Sequence, residues 1–228
     1  MFDEAQQNRL KAGAQTWGIA LDAATLDRFT RFADLLEARN RMLNLTRIPP
    51  EEFGTLHFLD SLALAAVVTP RPGMRLLDVG TGAGFPGLPL ALACPLLDVT
   101  LLDATRKRLA FLDEVIAALG LTNVRTLHGR AEEIARLPTH REAYDLVVAR
   151  AVAKMETLAG WLLPLTKPGG LAVAYKSGTS TDEIAAAERA IRAYGGSLER
   201  IADIVLPGTE IARKLVLLRK KSAGRPRS

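Results

Sequence analysis

The stretch DVGTGAGFPGLPL at residues 78–90 constrains the fold of this chain more than any other segment. It begins in an apolar run typical of a buried strand and ends in a run with helical character. Gly80, Gly82 and Gly84 form a G-x-G-x-G turn, where the missing Cβ atoms let a ligand approach the main chain. The free N–H groups of the next helix add an electropositive cradle. The stretch therefore predicts a ligand-binding loop between a strand and a helix.

An acidic residue at the end of the next predicted strand supports a nucleoside ligand. Asp103 ends the run LLDVTLLD, about twenty residues beyond the loop, where a carboxylate binds ribose hydroxyls. Gly82, Gly84 and Gly87 also satisfy the G-x-G-x-x-G fingerprint of dinucleotide-binding proteins. The loop and the acid leave two ligands open, a dinucleotide and S-adenosylmethionine, because both carry that ribose.

The chain before the loop has a different pattern. Apolar residues recur at helical spacing between Leu26 and Met42, and a second helical run extends from Glu51 to Val68. The stretch TPRPG then interrupts the pattern. We therefore divide the chain into an N-terminal helical extension (1–70), a Rossmann-like domain (71–220) and a basic tail (221–228).

Strands and helices alternate in the second part, which predicts an α/β fold. The first strands are largely apolar, as expected for a parallel sheet covered on both faces. The loop at 207–211 is too short for a helical crossover, so the last two strands should form an antiparallel pair at one edge. The predicted strands are MRLLDVG, LLDVTLLD, NVRTLHG, YDLVVAR, GGLAVAYKSG, LERIADIVL and ARKLVLLRK.

Three later features favour S-adenosylmethionine over a dinucleotide. K-P-G-G precedes the fifth predicted strand, HGRAEEI follows the third, and the antiparallel edge pair differs from the second half of a dehydrogenase. Tyr175 and Lys176 are adjacent, so they do not form a hydride-transfer pair on one helix face. The expected fold is that of a class I S-adenosylmethionine-dependent methyltransferase, with a seven-stranded, mostly parallel sheet.

The segment VVARAVA at residues 147–153 bears on the methyl acceptor. It lacks the N/D-P-P-aromatic motif of enzymes that methylate exocyclic amines. Cys94 is the single cysteine, and its place in the first α/β helix predicts a buried structural residue, not a nucleophile. An acceptor such as guanine N7, which needs neither proton removal nor covalent activation, fits. Arg150 could then bind guanine O6, a phosphate or the cofactor carboxylate.

Several motifs together resemble the GidB (RsmG) family of bacterial methyltransferases. They are RNRMLNLTRI, HFLDSL, LLDVGTGAGFPGLPLAL, LLDATRKRLAFL and the Arg-Ala after the fourth strand. The resemblance runs from about Asn40 to Lys220. It implies transfer of a methyl group from S-adenosylmethionine, with S-adenosylhomocysteine as product, to guanine N7 of small-subunit (16S) ribosomal RNA. The charged stretch MFDEAQQNRL and the lack of a long apolar run separately predict a cytoplasmic protein.

The same resemblance implies roles for individual residues. Arg150 would close the cofactor pocket and help to position the reacting groups. Lys176 is predicted to help for another reason, because it ends the fifth predicted strand beside the pocket. The implied cofactor-binding residues are Gly80, Gly82, Gly84, Phe85, Asp103, Ala104, Thr105, Ala131, Glu132 and Arg150. The implied substrate residues are Asn44, Thr46, His57, Asp60 and Ser61. Arg106 is a further candidate substrate residue because its positive charge can bind RNA phosphates.

The net charge of +5 and the pI near 9.6 permit a polyanionic partner without proving one. The candidate RNA contacts are Arg39, Arg41, Arg47, Arg106, Lys107, Arg108, Lys176, Lys220, Lys221, Arg225 and Arg227. We expect no metal site, no membrane segment and a monomer. A methyltransferase for another RNA or a small molecule, a non-catalytic assembly factor and a nicotinamide dehydrogenase stay open as alternatives. Whether naked RNA, a subunit or an assembly intermediate is bound also stays open.

Overall fold

The computed structural model describes residues 2–150, 153–176 and 181–221. The RNA contacts predicted at Arg225 and Arg227 lie outside these residues. The described chain contains one seven-stranded sheet in the order β3-β2-β1-β4-β5-β7-β6. The strands are β1 (Arg75–Val79), β2 (Asp98–Asp103), β3 (Val124–His128), β4 (Tyr144–Arg150), β5 (Thr166–Lys176), β6 (Gly196–Val205) and β7 (Ala212–Lys220).

The sheet confirms the predicted class I methyltransferase topology. β1 pairs in parallel with β2 and with β4, and β5 continues the parallel part. β7 is antiparallel to β5 and to β6, as the short loop before β7 predicted. The strand order reverses at β1, so a crevice opens at the carboxyl ends of β1 and β4, where sheets of this type bind ligands.

Eight α-helices accompany the sheet in the described chain. In α1 and α2 the side chains of Asp3 and Asp22 accept hydrogen bonds from the backbone N–H groups of Gln6 (2.9 Å) and Thr25 (2.7 Å), which caps both helices. The helices are α1 (Glu4–Thr16), α2 (Ala23–Leu43), α3 (Asp60–Leu62), α4 (Gly87–Ala93), α5 (Arg106–Leu119), α6 (Ala131–Ile134), α7 (Met155–Leu162) and α8 (Thr181–Ala193).

The second helical run of the extension is irregular instead of being one α-helix. It consists of a 3₁₀ turn (Pro50–Glu52), a π-helical segment (Phe53–Leu59), the short α3 and a second 3₁₀ turn (Ala63–Ala66). Such widened turns free backbone carbonyl groups from the helical pattern, and they occur often at functional sites. Here the run lies over the carboxyl edge of the sheet.

The extension shares a hydrophobic core with one face of the sheet. Phe29 and Phe32 of α2 lie 5.0 and 5.6 Å from the ring of Phe58, and Phe32 stacks on Phe85 of the glycine loop at 5.4 Å. A second core, on the other face, packs α6, α7 and α8 against the sheet. The helices of the extension therefore help to position the glycine loop. That the extension forms a unit of its own up to residue 70 stays a prediction.

Candidate functional site

The glycine loop follows β1, and its first residues face an open cavity. Gly82 has a φ of +61°, and a Cβ there would meet nothing nearer than the carbonyl oxygen of Gly80 at 4.0 Å. Gly84 differs, because a Cβ there would lie 2.9 Å from Leu112 Cδ2 of α5. Gly82 thus leaves room for a ligand, whereas Gly84 allows α5 to pack closely behind the loop.

A buried carboxylate holds the loop from behind. Asp78 Oδ2 accepts hydrogen bonds from the Thr81 hydroxyl (2.7 Å) and from the backbone N–H of Gly87 (2.8 Å). The side chain is fully buried, and this burial raises the pKa of Asp78 to about 6. Asp78 belongs to β1, within the run MRLLDVG that was predicted as a strand. It fixes the loop to the first turn of α4.

One cavity, which we call the Asp103 cavity, lies between the ends of β1, β2 and β3 and has a volume of about 230 Å³. Asp103 accepts hydrogen bonds from the backbone N–H groups of Gly82 (3.0 Å) and Thr105 (2.8 Å). The Trp161 indole N–H donates to the Glu132 carboxylate on the opposite wall. The cavity is lined by Asp103, Ala104, Thr105, Ala131 and Glu132, all predicted from the sequence to bind the cofactor.

A larger cavity of about 780 Å³, the Arg150 cavity, opens in front of the glycine loop. Gly80 and Arg108 line both cavities, so the two meet there. Leu45, Ile48 and Leu56 of the extension form an apolar wall. The polar side chains that line this cavity include those of one histidine and five acidic or basic residues. They are His57, Asp60, Arg108, Arg150, Lys176 and Arg213.

Arg150 ends β4 and binds the extension. Its Nη1 donates to the Leu56 carbonyl (3.1 Å) and to Asp60 Oδ2 (3.0 Å), and its Nη2 donates to His57 Nδ1 (3.2 Å). The side chain is 13% exposed. Burial lowers the pKa of Arg150, while the nearby Asp60 opposes this effect, and the guanidinium stays protonated. The residue therefore joins the sheet to the irregular helical run.

Asp60 serves two arginines at once. Its Oδ1 accepts from Arg213 Nε at 2.9 Å, while its Oδ2 accepts from Arg150. The carboxylate is almost fully buried. Arg213 is the second residue of β7, so Asp60 connects the extension to β4 and to β7.

His57 completes this network as a neutral side chain. Its ring stacks on Phe85 with centroids 4.0 Å apart and an interplanar angle of 2°. Burial, with a smaller effect of Arg150, lowers the pKa of His57 to about 3. Because a guanidinium is a donor only, Nδ1 must accept from Arg150, and Nε2–H donates to the Thr46 hydroxyl oxygen at 2.8 Å.

The predicted substrate residues fall into three groups. His57 and Asp60 line the Arg150 cavity. Thr46 and Ser61 contact His57, the latter by donating its hydroxyl to the His57 carbonyl at 2.5 Å. Asn44 is exposed and ends α2 in a left-handed conformation, with φ of 49°. Arg106 is exposed in the first turn of α5, and neither it nor Asn44 is among the residues that line the two cavities.

Three other predictions can be compared with the structure. Lys176 lines the Arg150 cavity and forms an ion pair with Glu183 at 3.0 Å. The RNA contact predicted for Lys220 is wrong, because this side chain is 1% exposed and pairs with Glu142 at 3.1 Å. Cys94 follows α4 as its C-cap and is partly buried, and burial raises the pKa of its thiol.

Several residues of these cavities were not predicted from the sequence as part of the site. Arg108 was considered as an RNA contact alone, yet it lies where the two cavities meet, 3.5 Å from Asp103. Tyr175 is buried and donates its hydroxyl to the Ser61 carbonyl at 2.8 Å. Trp161 and Arg213 belong to no motif, so no local signal indicated them.

Metal-binding clusters and membrane-spanning helices were both considered as features of the described residues. Across residues 2–150, 153–176 and 181–221, histidine, cysteine and acidic side chains do not gather into a group that could ligate a metal ion. None of the described helices combines the length and apolar character required to cross a bilayer.

Comparison with known proteins gives a consistent result. The family model GidB, described as rRNA small subunit methyltransferase G, matches residues 25–211. A protein named ribosomal RNA small subunit methyltransferase G from Lachnoclostridium phytofermentans is 46% identical over 209 residues, which is 91% of this chain and 86% of that protein. One of the same name from Trichormus variabilis is 42% identical and covers 93% of this chain and 91% of its own.

Solved structures agree in fold. TrmN from Thermus thermophilus has a TM-score of 0.54 and 26% identity, with 70% of this chain and 48% of that chain covered. This chain thus spans about half of that protein. TYW2 from M. jannaschii in complex with AdoMet has a TM-score of 0.54 and 15% identity, covering 67% of this chain and 71% of that chain. The second likeness concerns the fold alone.

Proposed function

The chain belongs to the GidB family of rRNA small subunit methyltransferase G, and on that premise we propose that it methylates N7 of a guanine in small-subunit ribosomal RNA. The methyl donor is S-adenosylmethionine, and we propose S-adenosylhomocysteine as the product. The observation that carries the choice of acceptor is the absence of a free general base among the described residues that line the Arg150 cavity.

The residues of the two joined cavities fit S-adenosylmethionine. A ribose needs a hydrogen-bond acceptor for its hydroxyls, and Asp103 supplies a carboxylate at the end of β2. Ala131, Glu132 and Trp161 offer apolar, acidic and aromatic surface beside it, suited to an adenine ring. The open space at Gly82 is the cradle that a Cβ would fill. We propose that the methionine end passes Gly80 towards the Arg150 cavity.

The titratable groups of the Arg150 cavity are all engaged. His57 is neutral with both ring nitrogens bonded, and Asp60 has both oxygens bound to arginines. Burial raises the pKa of Tyr175 well above its usual value, and its hydroxyl donates to a carbonyl. Such a site suits an acceptor that arrives with a lone pair and loses no proton. Guanine N7 meets this condition.

S-adenosylmethionine supplies an electrophilic methyl group bound to a sulfonium sulfur. The protein's task is then to align the N7 lone pair behind that methyl group and to exclude water. Alignment of two reactants can account for roughly 7–11 kcal/mol of a barrier. We propose that Arg150, held by Asp60, His57 and the Leu56 carbonyl, fixes the wall against which the base is aligned, with Lys176 beside it.

The extension contributes to acceptor binding in this proposal. Leu45, Ile48 and Leu56 form the apolar wall on which the face of a base can pack. The target guanine must leave its stack to reach the methyl group. The predicted contacts at Asn44 and Arg106, both exposed, then belong to the approach of the surrounding RNA. We further propose that the protein acts as a monomer, in the cytoplasm, on a subunit or an assembly intermediate.

The test is methyl incorporation from labelled S-adenosylmethionine into small ribosomal subunits that lack the modification, with identification of the modified nucleoside. We expect 7-methylguanosine. Gly82→Ala should abolish incorporation, because its Cβ fills the cradle. Gly73→Ala is the matched control, since Gly73 also has a positive φ (+76°) and open space but lies at the opposite edge of the sheet.

Each outcome separates the proposal from an alternative. Methylation of another base atom would contradict the acceptor assignment. Tight binding of S-adenosylmethionine without incorporation into any RNA would favour the non-catalytic assembly factor. Binding of NADH in its place, detected by fluorescence titration, would favour the dehydrogenase.

A further inference from the structure

We infer that Arg213 binds a phosphodiester group of the RNA strand that carries the target guanine, and that Asp60 positions it for this contact. The inference rests on the proposed function and deepens it. Arg213 belongs to no sequence motif, and its place in the site follows from the sheet topology and from the contacts of its guanidinium.

Arg213 presents one edge of its guanidinium to the Arg150 cavity. Nε donates to Asp60 Oδ1 at 2.9 Å, and Nη1 donates to the Ala212 carbonyl at 3.1 Å. Across residues 2–150, 153–176 and 181–221, Nη2 has no hydrogen-bond partner. The side chain is 20% exposed and lines the cavity. A partly buried donor with this access is suited to bind an acceptor from a ligand.

The charges around Arg213 favour an anion. Asp60 contacts both Arg150 and Arg213, so one carboxylate is shared by two guanidinium groups. Asp78 acts on Arg150 from behind the glycine loop, without a hydrogen bond to it. A positive charge at low exposure is stabilised by a second negative partner.

The neighbouring cations differ from Arg213. Lys176 has its own carboxylate in Glu183 at 3.0 Å. Arg108 lies 3.5 Å from Asp103, at the border with the Asp103 cavity. Arg213 and Arg150 share the Asp60 carboxylate, but Arg150 is also bonded to the Leu56 carbonyl and to His57.

The position of Arg213 in the sheet favours RNA over the cofactor carboxylate. In the order β1-β4-β5-β7, β7 lies three strand spacings from β1, or roughly 14 Å at the usual separation of strands. The glycine loop and Asp103 lie on β1 and β2, on the other side of β4. An anion at Arg213 is therefore expected on the acceptor side of the site. A guanidinium fork also matches a phosphate group geometrically.

The test compares Arg213→Gln with Arg71→Gln, which removes the same charge from an exposed arginine at the opposite edge of the sheet. For Arg213→Gln we expect the KM for unmodified small subunits to rise about tenfold or more, with kcat and the Kd for S-adenosylmethionine within about twofold of wild type. The slope of log Kd against log salt for subunit binding should fall by about 0.7–0.9. Arg71→Gln should leave all four quantities unchanged.

Arg213→Lys keeps the charge and the pairing with Asp60 but loses the fork, so its KM should lie between those of Arg213→Gln and wild type. If Arg213→Gln does not fold, Arg213→Lys provides the test in its place. The inference would be overturned if Arg213→Gln raised the Kd for S-adenosylmethionine and left the KM for subunits unchanged. It would also be overturned if the variant lost Tm and kcat together while its salt slope stayed at the wild-type value. Because the salt slope is measured by binding alone, it tests Arg213 even if the wild-type protein methylates no guanine, a result that would refute the proposed function instead.

Discussion

The two cavities at the carboxyl edge of the sheet are built in different ways. The Asp103 cavity depends on strand ends, turns and backbone N–H groups, with Asp103 bound to Gly82 and Thr105 of the adjoining loops. The Arg150 cavity depends on side chains that are far apart in the chain. Arg150 bonds to His57 and Asp60 over 93 and 90 residues, and Arg213 bonds to Asp60 over 153.

This difference separates two requirements of the same reaction. The Asp103 cavity needs only the sheet and its loops, which suits a cofactor shared by many methyltransferases. The Arg150 cavity exists only when the extension is docked on the sheet, because Leu56, His57 and Asp60 come from the extension. The part of the site that receives the acceptor is therefore coupled to folding of the N-terminal residues.

The strongest test of this coupling is Asp60→Ala. It leaves two guanidinium groups of low exposure without their carboxylate, and breaking a buried ion pair in this way costs about 3–5 kcal/mol. Urea denaturation should record this loss in the free energy of unfolding. Asp98→Ala is the control, since it removes a carboxylate from a more exposed pair with Arg125 and should cost about 1 kcal/mol or less. Equal losses for the two variants would refute the distinction between the cavities.

The next test acts on the Asp103 cavity. Asp103→Ala should weaken binding of S-adenosylmethionine by about 1.5–3 kcal/mol, roughly 10- to 150-fold, because charge-assisted hydrogen bonds to the ribose are lost. Isothermal titration calorimetry measures the change. Asp113→Ala, on the exposed side of α5, should bind the cofactor as wild type does. Wild-type affinity of the Asp103 variant would contradict the ribose assignment.

The same difference explains what the sequence could predict. The strands, their parallel order and the ribose-binding position follow from local patterns, such as apolar runs, the glycine turn and an acid at a strand end. The partners of Arg150 could not be predicted, because nothing near VVARAVA indicates Asp60. The sequence placed His57, Asp60 and Ser61 near the cofactor mouth through a family resemblance alone. The irregular run at 50–66 was expected as a plain helix, because periodicity does not distinguish α from π or 3₁₀ turns.

Lowering the pH tests the Arg150 cavity by favouring protonation of His57, without removing an ion pair. His57 has a pKa of about 3 in the folded chain, against 6.5 for the free side chain. Between these values the unfolded chain binds the extra proton, so the stability from the neutral His57 is present above about pH 6.5 and is lost as the pH falls.

The comparison with His57→Gln isolates that effect. Asp78 titrates in an overlapping range with the opposite sign, because its raised pKa of about 6 makes protonation favour the folded chain, and this contribution is common to both proteins. Relative to the variant, wild type should lose about 1–2 kcal/mol of unfolding free energy between about pH 7.5 and pH 5. Parallel stability curves would show that His57 is not held neutral by the docked extension.

The smallest expected effect returns to the Asp103 cavity. Trp161 lies on α7, outside the strand-end loops, and its indole N–H donates to Glu132. Trp161→Phe keeps an aromatic wall but removes that hydrogen bond, so binding of S-adenosylmethionine should weaken by about 0.5–1.5 kcal/mol, roughly 2- to 12-fold. Trp17→Phe, beyond the end of α1, is the control and should leave the Kd unchanged. An effect as large as that of Asp103→Ala would mean that the Asp103 cavity also depends on a side chain distant in sequence. The two cavities would then differ only in that the Arg150 cavity contains the ion pairs around Asp60.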